Sequence, residues 1–276
     1  MQGLGAWLGA SGLEQMDPGV VALLVAAGLA AGFVDAVVGG GGLLQLPVVL
    51  MVPGISPVQA LATNKMGSVF GTATSALTFY RRTSPDLRTA LPMAGVALLG
   101  SFGGAALAAS LPEAVFRPII LAALVAVLLF TVARPTVGQL TELRHSGARH
   151  YGTAMVIGTV IGFYDGVMGP GTGSFLVIAM ITLLGYSFLA ASAKAKIVNL
   201  ATNVGALVFF FGHGSVLWGL GLVLGLSNML GGYLGARTAV ARGSRFIRVA
   251  FLVVVSALVL RVGWDVWEEN IRPQLS

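Results

Sequence analysis

Cysteine is absent from the 276-residue chain, which excludes disulfides, thiolate metal centres and cysteine nucleophiles. Histidine occurs only three times, too seldom for a histidine-rich metal site. Charge is scarce as well: 9% of residues are Asp, Glu, Lys or Arg, against about 25% in ordinary soluble domains. No lysine or arginine precedes the first apolar block, where Glu14 and Asp17 stand instead, so no cleaved signal peptide with a basic leader is expected. The Walker pattern GxxxxGK[ST] is missing too, which leaves no basis for nucleotide-driven chemistry. No cofactor is expected.

What is present is apolar. Hydrophobic residues make up 56% of the chain and the mean hydropathy is +0.90, more apolar surface than a water-soluble fold can bury. The material comes in blocks, among them 20–38, 89–109, 114–133 and 246–262, each close to the ~20 residues of a bilayer-spanning helix. The fold class is therefore all-α integral membrane. The 39 glycines suit it, because a missing side chain lets membrane helices approach closely.

Apolar blocks set against turn signals give about ten transmembrane segments, 20–38, 43–52, 58–80, 89–110, 114–133, 152–168, 174–185, 189–211, 215–238 and 246–266. The second and seventh are too short to span unaided, and each follows a glycine cluster: Gly39, Gly40, Gly41 and Gly42, then Gly169, Pro170, Gly171, Thr172 and Gly173. Overlaying the halves matches GFVD at 32–35 with GFYD at 162–165, and one inserted residue then sets Lys65 opposite Lys196. The expected organisation is an extramembrane N-terminus 1–17, a first repeat 18–133, a cytoplasmic linker 134–149, a second repeat 150–267 and a tail 268–276. Five segments is odd, so the second repeat enters the membrane from the opposite side, an inverted arrangement known from secondary transporters. If the short segments dip in and return on the same side instead, each half has four spans and the halves become parallel; pairing each with its preceding segment as one broken hairpin leaves three spans and restores inversion.

Loop charge orients the chain. Ten of the sixteen basic residues lie after segments three, five and nine: Arg81, Arg82, Arg88, Arg134, Arg144, Arg149, Arg237, Arg242, Arg245 and Arg248. Positive residues collect on the cytoplasmic side, which puts both termini in the periplasm if all ten segments cross. The net charge of +6 is thereby a matter of topology. The arginines form no stripe with interleaved aromatics, so no nucleic-acid partner is expected. Membrane lipids are partners by necessity, and a homo-oligomer is left open.

Ionisable side chains within spans are expensive and face a bundle interior or water-filled path. Asp35 and Asp165 sit late in the first segment of each half, one turn before its glycine cluster; Lys65 and Lys196 sit early in the third. Asn64, Ser68, Gly71 and Ser75 share a helical flank, and Lys65, Ser68 and Thr72 share one beside it; Ser192, Lys196, Asn199 and Asn203 repeat the spacing. Hydroxyls and amides with a full ammonium charge suit a small oxyanion. The plainer reading is that these groups cross-link helices, each contact giving under ~2 kcal/mol. Lys194 is read as snorkelling to lipid phosphates at the cytoplasmic end. Lys65 lies toward the opposite face, where topology gives it no such role.

The glycine clusters read either as tight packing or as helix breaks that expose N–H groups at depth for an anion. Asp35 and Asp165 are coupling candidates, as proton carriers, lysine partners or caps of the broken ends. His145, His150 and His213 are all expected to be solvated.

GFVDAVVGGGGLLQLP at 32–47 with ALATNKMGSVFGT at 60–72, and GFYDGVMGPGTGSFL at 162–176 with AKAKIVNLATNVGAL at 193–207, resemble the TauE/SafE family of sulfite and sulfonate exporters over nearly the whole chain. The resemblance implies proton- or gradient-driven export of small sulfur-containing anions, such as sulfite or sulfoacetate, across a bacterial cytoplasmic membrane. Position by position it points to Gly39, Gly40, Gly41, Gly42, Asn64 and Lys65, then to Gly169, Gly171, Gly173, Lys196, Asn199 and Asn203. The second cluster departs from the first, reading GPGTG rather than GGGG.

Other classes fare worse. Tyr164-Asp165 supplies one half of an intramembrane aspartyl protease motif, but Gly-x-Gly-Asp is missing; GASG at 9–12 fits a rhomboid string but precedes the first span. The chain is expected not to be an enzyme. A proton- or cation-coupled carrier or channel for another small solute, with the aspartates as ligands, is the remaining alternative.

Overall fold

The structure, a computed structural model, describes residues 18–52, 54–108, 125 and 140–267. These form helices α1 (Pro18–Val38), α2 (Gly41–Leu50), α3 (Pro57–Thr83), α4 (Leu87–Ala108), α5 (Gly147–Val167), α6 (Thr172–Ala179), α7 (Phe188–Gly212) and α8 (Trp218–Val266), and no strand is found among the described residues. The segment expected at 114–133 lies, apart from residue 125, outside them, as do 1–17, 134–139 and 268–276. Helices α1, α4 and α7 are long and apolar enough to cross a membrane, while α2 and α6 are shorter apolar helices. Apolar side chains face outward, with Leu99 70% and Leu260 75% exposed.

Local chemistry sets the boundaries. Ser56 and Gln59 form a reciprocal capping box ahead of α3, with Pro57 in its first turn. Ser187 caps α7 by accepting from the Ala190 N–H. α6 continues as a π-helical turn, Met180–Leu184, and stops at Gly185 in the left-handed region. The two expected segments 215–238 and 246–266 are the two helical arms of α8, which meet at a break where Gly243 adopts φ 69° and ψ −169°, far from helical values. Arg242 and Arg245 thus flank the joint between two helices, where glycine accommodates the left-handed φ.

Packing crosses between the halves. α1 lies along α8 and α5 along α4; α3 also packs on α8 and α7 on α4, while α3 and α7 meet centrally. The contacts run in register. Gly28 faces Leu224 and Gly32 faces Asn228, so α1 and α8 point the same way; Gly158 faces Met93 and Gly162 faces Ala97, so α5 and α4 do too. Where Gly231 and Gly235 press on Leu29 and Phe33, Gly100 and Gly104 press on Thr159 and Phe163. Each contact has its counterpart with the halves exchanged. In these small-residue seams a backbone carbonyl occupies the space a Cβ would need, and close approach supplies the dispersion contact that holds helices together in lipid.

Candidate functional site

The first turn of each half's short helix lies inside the bundle. α1 ends at Val38; Gly39 at φ 84° turns the chain, and α2 restarts at Gly41. α5 ends at Val167; Gly169 at φ 81° and Gly171 at φ 85° turn the chain into α6. The two breaks meet, with Gly39 backbone against the Gly173 backbone, Ser174 N–H donating to Gly39 O at 3.2 Å and Ser174 Oγ donating to Val38 O at 2.8 Å. Broken helix and tight packing, alternatives in the sequence, are both present. Tyr164 Oη braces the second break by donating to Pro170 O at 2.7 Å.

A polar cavity opens where these breaks meet α3 and α7. Gly39, Gly42, Gly169, Gly171 and Gly173 contribute to its wall from the breaks, Asn64, Lys65 and Ser68 from α3, Asn199 and Asn203 from α7, and Asp35 and Asp165 from the ends of α1 and α5. Of the residues singled out in the sequence, Gly40, Gly41 and Lys196 are not on the wall; Gly41 instead packs against Ala31 and the Asp35 Cβ. Thr72 and Thr172 line the cavity as well. Thr72 shares the helical flank of Lys65 and Ser68, which signals it; Thr172 was hidden inside a glycine run.

The lysines are not free cations. Lys65 Nζ lies 2.7 Å from Asp165 Oδ2, and Lys196 Nζ donates to Asp35 Oδ2 at 2.8 Å. Both pairs join opposite halves. Four charges, two of each sign, therefore sum to zero. The pairs differ in detail. Lys65 meets Asp165 Oδ2 as a charge contact without the angles of a hydrogen bond, while Asp165 Oδ1 lies 2.6 Å from Thr172 Oγ1, whose proton is shared with Gly169 O. Asp165 thus also ties the broken end. The Asp35 side chain is 16% exposed against 2% for Asp165. The Lys65 ammonium lies against Gly169, where a Cβ would stand 3.0 Å away. Asn64 Oδ1 is buried without a hydrogen-bond partner.

Two expectations need correction. Lys194 does not reach lipid: it is 2% exposed, donates to Asp86 O at 2.6 Å and stands 4.9 Å over the Tyr186 ring. Its counterpart in the other half is Thr63, whose Oγ1 accepts from the Leu217 N–H, so one helix joint is made by a lysine and the other by a threonine. His150 is not solvated: it is 6% exposed, with Nε2 3.1 Å from Thr89 Oγ1 and 3.2 Å from Tyr186 Oη. His213 is exposed as expected. A buried Gln45–Asn228 amide pair between α2 and α8 carried no signal in the sequence.

Known proteins of similar sequence are named as probable membrane transporters. The family model for sulfite exporter TauE/SafE matches residues 23–262. The chain is 38% identical to the probable membrane transporter protein ORF9 of Sinorhizobium sp, over 88% of this chain and 92% of that one. It is 34% identical to the probable membrane transporter protein YfcA of Escherichia coli K12, over 92% and 93%, and 32% identical to a probable membrane transporter protein of Haemophilus influenzae, over 91% and 98%. No solved structure matches. With a family model covering most of its length and these relatives aligned nearly end to end, the chain belongs to the TauE/SafE family of membrane transporters.

Proposed function

We propose that the chain exports small sulfur-containing anions, such as sulfite, sulfoacetate or other organosulfonates, across the bacterial cytoplasmic membrane. The observation that carries this reading is the neutral, polar cavity at the meeting of two helix breaks, with the Lys65 ammonium on its wall. Helix starts present N–H groups without intrahelical partners and the positive end of a dipole, and α2 and α6 both start at this cavity. Hydroxyls and amides from α3 and α7 supply hydrogen bonds that fix an oxyanion's orientation.

The proposed architecture is two inverted repeats of five segments with both termini periplasmic. The register of the seams supports the inversion, and the loop charge supports the placement of the termini. α1, α3 and α8 share one direction and α4 and α5 share one, while only three residues separate Thr83 at the end of α3 from Leu87 at the start of α4, a turn that sends α4 back. First segments α1 and α5 then oppose each other, which inversion requires.

Thermal shift of the purified protein with sulfite, thiosulfate, sulfoacetate, taurine and sulfate tests the substrate class, and stabilisation by none of them speaks against it. In proteoliposomes Lys65→Ala and Lys196→Ala are expected to abolish anion efflux. Undiminished efflux in both variants would sink the site assignment. The partial exposure of Asp35 favours a second reading, a proton- or cation-coupled carrier or channel for another solute; cation binding surviving Lys65→Ala would select it.

A further inference from the structure

Resting on the anion reading above, we infer that the charged head of the anion sits over Gly42, between the start of α2 and the Asn64 amide, and that the lack of a side chain at position 42 decides whether the cavity can take it.

The glycines of the two breaks have different reasons to be glycine. Gly169 and Gly171 adopt positive φ, which other residues avoid. A Cβ on Gly39, Gly41 or Gly173 would stand 2.2, 2.4 or 2.5 Å from backbone atoms of a neighbouring segment. Neither reason applies at Gly42. It lies in the first turn of α2 without a positive φ, and a Cβ there would meet nothing closer than Pro170 Cα at 3.5 Å and Asn64 Nδ2 at 3.9 Å, both ordinary contact distances. Glycine within a helix costs stability, and neither backbone nor packing explains it here. The position is on the cavity wall.

The second break fills the equivalent space with protein. The overlay that pairs GFVD with GFYD sets Thr172 opposite Gly42, and Thr172 Oγ1 lies 2.6 Å from Asp165 Oδ1 and 2.8 Å from Gly169 O. The Thr172 N–H donates to Gly169 O at 3.4 Å and the Ser174 N–H to Gly39 O at 3.2 Å, so the start of α6 is largely spent. The start of α2 is not. No side chain caps it, and Leu43 N–H, donating to Gly40 O at 3.2 Å, is the first of its groups to turn inward. The Gly42 N–H is orphaned by its place in the first turn, at the positive end of the helix dipole.

Asn64 marks the same point from α3. It is 4% exposed on the cavity wall and makes no side-chain hydrogen bond among the described residues; its Oδ1 is buried without a partner and its Nδ2 faces the space over Gly42. Buried amides are ordinarily satisfied. Nothing in the protein fixes this one, and an anion accepting from Nδ2 would. Lys65 and Lys196 are each neutralised by an aspartate, so N–H donors, strengthened by a charged acceptor, meet the anion's charge.

Sulfite and sulfoacetate are the probes, titrated calorimetrically into the purified protein. Gly42→Ala is expected to weaken binding of both by about tenfold or more, while the melting temperature without anion stays the same or rises, because the space accepts a methyl group and alanine favours the helix. Asn64→Leu is expected to weaken binding by about tenfold at little cost in melting temperature, since the amide it removes has no partner in the protein. Wild-type affinity in either variant overturns the inference and leaves the anion reading standing. Affinity lost only along with a matching loss of melting temperature makes the residue structural and overturns it too. Binding of none of the five anions named above by the wild type overturns the anion reading, and this inference with it.

Discussion

Lys65 and Asp165 touch at 2.7 Å although one lies in the first half and the other in the second, and Lys196 and Asp35 repeat the contact with the halves exchanged. Each ion pair therefore does two things at once. It neutralises a charge that lipid would penalise, and it fixes the third helix of one half against the broken end of the other.

The two roles separate by mutation. Asp165→Asn leaves the Lys65 ammonium buried without a counter-charge, and removal of one partner of such a pair costs about 3–5 kcal/mol. Lys65→Met with Asp165→Leu removes both charges, and is expected to regain most of the thermal stability while anion transport stays absent. Melting temperature in detergent and efflux from proteoliposomes read the two effects separately. Restored transport in the double variant would make the pair purely structural.

The glycines at the breaks make a graded prediction. Gly39 combines φ 84° with backbone contact to Gly173, so Gly39→Ala incurs both conformational strain, about 1–3 kcal/mol, and overpacking of similar size. Gly54 has φ 78° but open space around it, so Gly54→Ala carries the strain alone. Gly103 sits in α4 with nothing near its would-be Cβ; Gly103→Ala is expected to be neutral or slightly stabilising through helix propensity. Thermal unfolding of the three variants should rank them in that order. Equal losses at Gly39 and Gly103 would remove the contact between the breaks as the reason for glycine there.

Legibility in the sequence followed from which interactions are local. Segment positions and the paired landmarks Asp35 with Asp165 and Lys65 with Lys196 are readable because apolar length and repeated spacing are properties of the chain itself. That the aspartates choose lysines of the opposite half is tertiary. It depends on α1 packing along α8 and α4 along α5, which no local pattern encodes. His150 and Lys194 were misread for a related reason. Both stand near helix starts, where solvent or lipid headgroups are the ordinary surroundings, and here Thr89, Tyr186 and Asp86 from other elements cover them.

That covered cluster is expected to be structural. His150→Phe removes the imidazole that faces both Thr89 and Tyr186 and leaves two buried hydroxyls short of a partner, at about 1–3 kcal/mol. Lys194→Met loses the bond to Asp86 O and the contact with Tyr186 but touches no cavity residue. Both variants should melt at lower temperature while the protein that remains folded binds anion with wild-type affinity. Loss of binding in folded Lys194→Met, measured by titration on the monodisperse fraction, would draw this end of α7 into the site.

Membrane orientation can be tested directly because the chain has no native cysteine, so a single introduced thiol reports alone. Arg82 in the last turn of α3 and His213 just beyond α7 are both exposed. If the short segments complete crossings, Arg82 ends a third crossing and His213 an eighth, which puts them on opposite sides. If the short segments dip in and return, both residues lie on the same side, because of the two only segment 174–185 lies between them, and its re-entry cuts the five crossings from Arg82 to His213 to four as the halves become parallel. Arg82→Cys should react with a membrane-impermeant maleimide only after the membrane is opened, and His213→Cys in intact cells. Labelling of both from one side would replace inverted repeats by parallel ones, and would leave the shared direction of α1, α3 and α8 without its explanation.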